Sequence, residues 1–196
     1  MVKDNLNKVF LSASIPYPDR DKKFFDTADI VSIRDAVRAL ATVVIPKAYL
    51  IWGGHPSITP LIRFVMDKMN ADVKKHITLY QSLFFEDEFL PDSFTFENIV
   101  LTKRKNTREK SLELMRSELI NDNDFNVGIF IGGMEGINDE YLMFRNKHPN
   151  ALILPIASTG AAAKMLYDNQ PNKFDHRLLN DYAYMALFRD LLKNYI

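Results

Sequence analysis

The chain has 196 residues, of which 47% are hydrophobic, and its 25 basic side chains balance its 25 acidic ones. This length fits one domain of residues 1–196, and without a basic tail or stripe we expect no nucleic-acid partner. The absence of cysteine excludes disulfides, thiol catalysis and cysteine-ligated zinc.

The N-terminal stretch MVKDNLNKVF lacks the long apolar core of a signal peptide, and no apolar run approaches membrane-spanning length. We therefore expect a cytoplasmic protein without a membrane partner. The four histidines show no metal-ligand spacing, so we expect neither a metal site nor a cofactor.

Short apolar runs alternate with segments of helical periodicity along the chain. Strands are predicted at residues 9–11, 49–52, 76–82, 99–101, 127–131 and 152–156. Helices are predicted at residues 30–46, from Thr59, from a cap at Asn106 to about residue 120, at 138–147, after Ser158, and from about His176. Residues 84–96 mix acids, aromatics and a proline, and are expected to form an irregular surface excursion. The alternation predicts an α/β fold, a Rossmann-like doubly wound and mostly parallel sheet with helices on both faces.

Small or flexible residues follow four of the predicted strands. They are Ser12, Ala13 and Ser14, then Gly53 and Gly54, then Gly132 and Gly133, and finally Ser158, Thr159 and Gly160. In a parallel sheet these loops lie along one edge, in the crevice where doubly wound sheets bind ligands. Glycine lets backbone amides approach a ligand closely, and the helix N-termini that follow favour negative charge. The four loops therefore predict a site for phosphate and sugar.

The third loop carries the pattern G-G-x-x-G-x-x-x-E, formed by Gly132, Gly133, Gly136 and Glu140. It matches neither the dinucleotide-binding G-x-G-x-x-G nor the P-loop. The pattern resembles the SLOG superfamily, which includes the LOG phosphoribohydrolases, the DprA proteins and the ligand-sensing domain of Thoeris antiphage effectors. The resemblance extends to LIWGGHPSITPLI at residues 50–62, TREKSLELMR at 107–116 and PIASTGAAA at 155–163, so it spans most of the chain.

The chain departs from the LOG pattern at several positions. Ile131 and Ile137 stand where LOG enzymes carry a proline before the glycine pair and a threonine after the third glycine. The spacing from the glycine pair to Gly136 is also one residue longer than in the LOG pattern. The LOG arginine lies nearer the glycine pair than Arg108 does, so Arg108 and Arg116 compete for its role. These departures favour the branch that senses nucleotide-derived messengers.

The loops and the resemblance together imply a set of ligand-binding residues. They are Ser12, Ala13, Ser14, Gly53, Gly54, His55, Arg108, Gly132, Gly133, Met134, Glu135, Gly136, Glu140, Ser158, Thr159 and Gly160. Glu140 lies one helical turn after Gly136, where it could accept hydrogen bonds from a ribose diol or stabilise an oxocarbenium-like centre. The alternative is a solvated acid favoured by the helix dipole. If the protein is an enzyme, Glu140 and Arg108 are the candidate catalytic residues.

The resemblance implies two functions. The first is non-catalytic binding of a nucleotide or nucleotide-derived signal, of the ADP-ribose or cyclic ADP-ribose type, by a sensor or sequestering protein in antiphage defence or counter-defence. The alternative is a LOG-type phosphoribohydrolase that cleaves the N-glycosidic bond of nucleoside monophosphates. DprA-like binding of single strands is disfavoured by the neutral charge. SLOG proteins are often dimeric and residues 178–192 carry an apolar stripe, either core or dimer face, so we expect a homo-oligomer.

Overall fold

A computed structural model describes residues 6–19 and 21–196, so the first five residues of the stretch inspected for a signal peptide lie outside it. The described strands are β1 Lys8–Ser14, β2 Tyr49–Gly53, β3 Ile77–Ser82, β4 Asn98–Thr102, β5 Val127–Gly132 and β6 Leu152–Ile156. They form one sheet in the order β4-β3-β2-β1-β5-β6, and every neighbouring pair is parallel.

Helices cover both faces of this sheet. They are α1 Lys22–Phe25, α2 Ile30–Val44, α3 Thr59–Met66, α4 Ala71–Lys74, α5 Arg108–Asn121, α6 Glu135–Lys147, α7 Ala161–Asn169, α8 Arg177–Asn180 and α9 Tyr184–Leu191. Helices α2, α3 and α9 share one hydrophobic core with the sheet, whereas α5, α6 and α7 share the other. The predicted doubly wound α/β fold is therefore confirmed.

The two cores separate because successive side chains of a strand point to opposite faces. On β1, Val9 and Leu11 belong to the core with α2, while Phe10 belongs to the core with α6. The ring of Phe10 stacks on that of Phe144 with 5.2 Å between their centroids. Strands buried on both faces are typical of parallel sheets, which explains the continuous apolar runs in the sequence.

The chain direction across the sheet reverses between β1 and β5. Strands β1 to β4 run outward in sequence order, and the chain then returns through α5 to place β5 on the other side of β1. Ligands of doubly wound sheets bind at such a switch point, outside the carboxyl ends of the strands. The topology therefore predicts a site above the ends of β1 and β5.

The boundaries of two elements near this switch point differ from the predictions. Strand β1 continues to Ser14, because residues 12–14 pair with residues 130–132 of β5. These residues end a strand and do not form the predicted loop. Helix α6 begins at Glu135 and not at residue 138, so Gly136 lies in its first turn.

Other predicted boundaries are also corrected. Thr107, not Asn106, caps α5, and its Oγ1 accepts a hydrogen bond from the amide of Lys110 at 3.2 Å. The long helix predicted from His176 is broken into α8 and α9. Asp181 causes the break, because its Oδ1 accepts from the amide of Ala183 at 2.8 Å and forms a turn. The segment predicted as an irregular excursion, residues 84–96, is largely covered by two 3-10 helices, Leu83–Glu88 and Pro91–Thr95.

The C-terminal apolar stripe is mainly core. Leu178 and Leu192 are fully buried, whereas Leu179 and Tyr182 are 39% and 59% exposed. Helix α9 packs against α2 and completes the core on that face. Among the described residues, no helix combines the length and the hydropathy that crossing a bilayer requires.

Candidate functional site

A cleft of about 970 Å³ lies along the carboxyl edge of the sheet. Its floor is formed by the ends of β1, β2 and β3. Residues 84–93 form one wall, and the first turns of α5 and α6 form the other. The cleft thus occupies the position that the strand order predicts for a ligand.

Most of the predicted site residues line this cleft. They are Ser12, Ala13, Ser14, Gly53, Gly54, His55, Arg108, Met134, Glu135, Gly136 and Glu140. Five others do not line it, namely Gly132, Gly133, Ser158, Thr159 and Gly160. The structure therefore brings together the end of β1, the loop after β2 and the start of α6, and leaves out the glycine pair after β5 and the loop after β6.

The loop after β6 is buried and holds neighbouring segments together. Thr159 Oγ1 donates to the carbonyl of Ile156 at 2.6 Å and accepts from the amide of Gly132 at 2.9 Å. Ser158 Oγ lies 3.0 Å from the hydroxyl of Tyr184 in α9. Since β6 lies beyond β5 at the edge of the sheet, its loop reaches these elements and not the cleft. The contacts give this loop a structural role, and the expected contact of its residues with a ligand stays a prediction.

The glycine pair shapes the turn between β5 and α6. Both residues have positive φ, +57° for Gly132 and +81° for Gly133, a backbone conformation that residues other than glycine rarely adopt. The amide of Gly133 donates to the carbonyl of Ser14 at 2.8 Å, and that of Gly132 donates to Thr159 Oγ1. Both donors of this pair are therefore engaged within the protein, and the expected contact of the two amides with a ligand stays a prediction.

Gly136 leaves room for the side chain of Arg116. A Cβ atom at this position would meet Arg116 Nη2. From there Arg116 Nε donates to Glu140 Oε1 at 3.1 Å, and Nη1 donates to Asp139 Oδ2 at 3.3 Å. The side chains of Arg116 and Glu140 are only 17% and 18% exposed. The third glycine and the glutamate of the motif are thus linked by an arginine from α5.

Of the two arginines that competed for the family role, Arg116 is the one that contacts Glu140. Arg108 lies at the exposed start of α5, with its guanidinium 5.9 Å from the centre of the Phe85 ring. Its side chain forms no ion pair with the residues that the structure describes. The two positions are eight residues apart on one helix, so Arg108 reaches the mouth of the cleft and Arg116 its interior.

His55 and Ser57 join the loop after β2 to the end of β1. The amide of Ile15 donates to Ser57 Oγ at 3.0 Å. Ser57 Oγ in turn lies 2.8 Å from His55 Nδ1, which also accepts from the amide of Ser57 at 3.3 Å. An Nδ1 that accepts two hydrogen bonds belongs to the imidazole tautomer with its proton on Nε2. These contacts fix the ring at the cleft wall, 5.9 Å from the Tyr17 ring.

One polar atom on the cleft floor lacks a partner. Ser12 Oγ is buried and forms no hydrogen bond with any described residue. A buried hydroxyl without a partner costs free energy unless a water or a ligand satisfies it. Ser12 is therefore the floor residue best suited to contact a ligand.

Several cleft residues were indicated by no motif. They are chiefly aromatic or polar and come from β3 and the segment that follows it, namely Gln81, Ser82, Phe84, Phe85, Phe89 and Ser93. The density of phenylalanines in residues 84–96 was the available signal. The sequence predicts an irregular surface excursion here, whereas the segment forms one wall of the cleft.

The charges around the cleft are mostly negative. The acids that line it are Glu88, Glu109, Glu113, Glu135, Asp139 and Glu140, and the arginines are Arg108 and Arg116. Such a rim does not provide the clustered positive charge that binds a nucleic-acid backbone. Among the described residues, no group of three or more histidine or acidic side chains is arranged to hold a metal ion.

Comparison with known proteins gives one family. A model of the SLOG cluster3 family matches residues 23–192, which include α5, α6 and the contact between Arg116 and Glu140. The match begins after β1, so the serines at the end of that strand lie outside it. Searches among curated proteins and among solved structures found no match.

Proposed function

Because the chain belongs to the SLOG cluster3 family, which indicates nucleotide-related binding or processing, we propose that it binds a nucleotide-derived signal without turning it over. The ligand in this proposal is of the ADP-ribose or cyclic ADP-ribose type. The protein would act as a sensor or a sequestering protein in antiphage defence or counter-defence. That setting rests on the resemblance to messenger-sensing SLOG domains.

The observation that carries the proposal is the position of Arg116 beside the start of α6. Two of its nitrogens are held by Glu140 and Asp139, while Nη2 lies over Gly136 and makes no hydrogen bond to the described residues. Helix α6 begins at the cleft without a side-chain cap, so the positive end of its dipole faces the same space. A guanidinium fixed by two acids next to a helix N-terminus is suited to a phosphate group.

The size of the cleft supports a ligand larger than a mononucleotide. Its volume of about 970 Å³ is at the upper end of the range of about 300–1,000 Å³ that is typical of small-molecule sites. Ligands of the ADP-ribose type carry a base, two riboses and two phosphates, and so use more of this space than AMP does.

The surroundings of Glu140 support binding over catalysis. Its carboxylate is already paired with Arg116, which lowers its availability as a base or nucleophile. Ile137, which stands where LOG enzymes carry a threonine, is buried and contributes a hydrophobic surface to the cleft. The hydroxyl that the LOG pattern places near the glutamate is therefore replaced by an apolar side chain.

Calorimetry tests the proposal directly. The purified protein would be titrated with AMP, ADP-ribose and cyclic ADP-ribose, each with and without EDTA. We expect binding to at least one ligand, unchanged by EDTA, because the arginine and the helix N-terminus stand in for a cation. The absence of binding to all three, or its loss in EDTA, would overturn the proposal. Mass spectrometry of small molecules released by heating would identify the physiological ligand.

A second candidate is a LOG-type phosphoribohydrolase. The observation in its favour is that Glu140 follows Gly136 by one turn and lines the cleft beside an arginine, as the resemblance to LOG enzymes implies. Incubating AMP with the protein and assaying free adenine separates the two candidates. Sustained adenine release by the wild type would replace the binding proposal with the enzymatic one.

A further inference from the structure

The two ends of the cleft differ in chemistry. One part of the lining holds the Arg116–Glu140 pair and the start of α6, which follows β5, whereas the segments that follow β1, β2 and β3 contribute aromatic rings. The aromatic lining residues are Tyr17, His55, Phe84, Phe85 and Phe89. Strands β3 and β5 are three positions apart in the sheet, a separation of roughly 14 Å at about 4.8 Å per strand. A single ligand can therefore contact both ends only through chemically different groups.

We propose that the aromatic end is a nucleobase subsite and that Gln81 reads the edge of the base. This inference rests on the proposed function, since it takes the Arg116 end as the place of a phosphate. Aromatic side chains stack on bases of any kind, so the phenylalanine wall supplies affinity without selectivity. Selectivity requires a polar group with a fixed orientation, which Gln81 provides.

Gln81 is held in place by Ser93 and fits into the space beside Gly54. It lies at the carboxyl end of β3 and is only 6% exposed. Its Nε2 donates to Ser93 Oγ at 3.2 Å, and this is the only hydrogen bond its side chain makes to a described residue. A Cβ at Gly54 would come within 3.0 Å of Gln81 Cγ and 2.7 Å of Leu79 Cδ1, so the glycine leaves the space that the glutamine fills. Gly54 thus leaves room for the side chain of Gln81, as Gly136 leaves room for that of Arg116.

The orientation of this amide selects the class of base. Gln81 donates one Nε2 hydrogen to Ser93 Oγ, so its other Nε2 hydrogen and the acceptor Oε1 are left for a ligand. An amide with an adjacent donor and acceptor pairs in two places with adenine, whose amino group donates beside a ring nitrogen that accepts. On the edge formed by N7 and the adenine amino group, guanine places a carbonyl at the position of that amino group, so Gln81 Oε1 would face another acceptor. The subsite therefore prefers adenine to guanine.

Calorimetry with AMP, GMP and ribose 5-phosphate tests this subsite on the wild-type protein. Ribose 5-phosphate lacks a base and reports on the Arg116 end alone. We expect AMP to bind about 10- to 100-fold more tightly than ribose 5-phosphate or GMP, since stacking and two-point recognition each contribute on this scale. Equal binding of AMP and ribose 5-phosphate would remove the base subsite but leave the proposed function intact. Tighter binding of GMP would remove the adenine assignment.

Variants locate the effect. Gln81→Leu should lower the affinity for AMP about tenfold, abolish the preference over GMP and leave the affinity for ribose 5-phosphate unchanged. Ser93→Ala should reduce the same preference, because it frees the amide to turn. Phe84→Leu should weaken AMP binding about tenfold. Phe94→Leu should leave it unchanged, because Phe94 is 65% exposed and lies outside the cleft lining. A parallel loss of ribose 5-phosphate binding in Gln81→Leu would mean that Gln81 is structural and would overturn its role as a reader.

Discussion

The guanidinium of Arg116 lies across Gly136 and donates to Glu140 at 3.1 Å, which joins α5 to the first turns of α6. Any side chain at position 136 would occupy the place of Arg116 Nη2. The third glycine of the motif therefore serves a neighbouring arginine more directly than it serves a ligand. This relationship makes the function of the motif testable by substitutions that separate stability from binding.

Gly136→Ala should leave the protein as stable as the wild type or slightly more stable, while it weakens binding. Alanine favours a helix over glycine by about 0.5–1 kcal/mol, but its methyl group displaces the guanidinium of Arg116. We expect AMP to bind about tenfold more weakly or worse, as after loss of one charge-assisted hydrogen bond. Melting temperature and dissociation constant would be measured on one preparation. An unchanged affinity would show that Arg116 does not reach the ligand.

Arg116→Met and Arg108→Met should differ in their effect on phosphate ligands. Arg116 is 17% exposed and is oriented by Glu140, whereas Arg108 is exposed at the mouth of the cleft. We expect Arg116→Met to weaken the binding of ribose 5-phosphate about 10- to 100-fold, and Arg108→Met to weaken it by about threefold or less. The two variants carry the same charge change and serve as matched controls. A larger effect at Arg108 would return the family role to that residue.

Glu140→Gln should weaken AMP binding. We expect no turnover of AMP by either the wild type or this variant. The neutral amide accepts hydrogen bonds less strongly than a carboxylate, so a loss of about tenfold in affinity is expected. Asp139→Asn is the control, because Asp139 also contacts Arg116 but is 62% exposed. Calorimetry and an adenine-release assay would be run on all three proteins. Adenine release by wild type that disappears in Glu140→Gln would make Glu140 catalytic.

Gly133→Ala should destabilise the protein, and its binding should follow the folded fraction. The residue has φ +81°, and a Cβ there would collide with Ile137. The strained backbone alone costs about 1–2 kcal/mol, so the melting temperature should fall by at least about 2 °C. Gly53→Ala is the control, because its added Cβ meets only flexible side chains, first of all the end of Met115. A stable Gly133→Ala variant with lost affinity would mean that the glycine contacts the ligand after all.

Asp175→Asn should lower the melting temperature at neutral pH but not in acid. Hydrogen bonds from Arg177 lower the pKa of Asp175 from 3.8 to about 2. Because the folded-state pKa is the lower one, the charged carboxylate stabilises the protein above pH 3.8, and this contribution disappears as the pH falls toward 2. We expect a difference of about 2–4 °C at neutral pH that closes through this window. Asp168→Asn, which removes an exposed pair with Lys164, should have almost no effect at any pH.

The sequence alone determined the fold class and indicated the edge of the sheet at which the candidate site lies. The apolar runs of β1, β2, β5 and β6 and the helical stripes between them depend on residues only two to four positions apart. The same holds for the glycine motif, in which Gly136 and Glu140 are one helical turn apart. Such short-range patterns are encoded locally, so they can be read before the chain is folded.

Only the tertiary structure decided which side chains meet at the site. Arg116 and Glu140 are 24 residues apart, and their contact exists because α5 packs against α6. Gln81 fits at the cleft because Gly54, directly after the neighbouring strand β2, leaves space for it. The loop of Ser158 is excluded because β6 lies beyond β5 at the sheet edge. These relationships depend on the packing of helices and on strand order, which no local periodicity specifies, and so the site's chemistry emerged only when the elements were placed together.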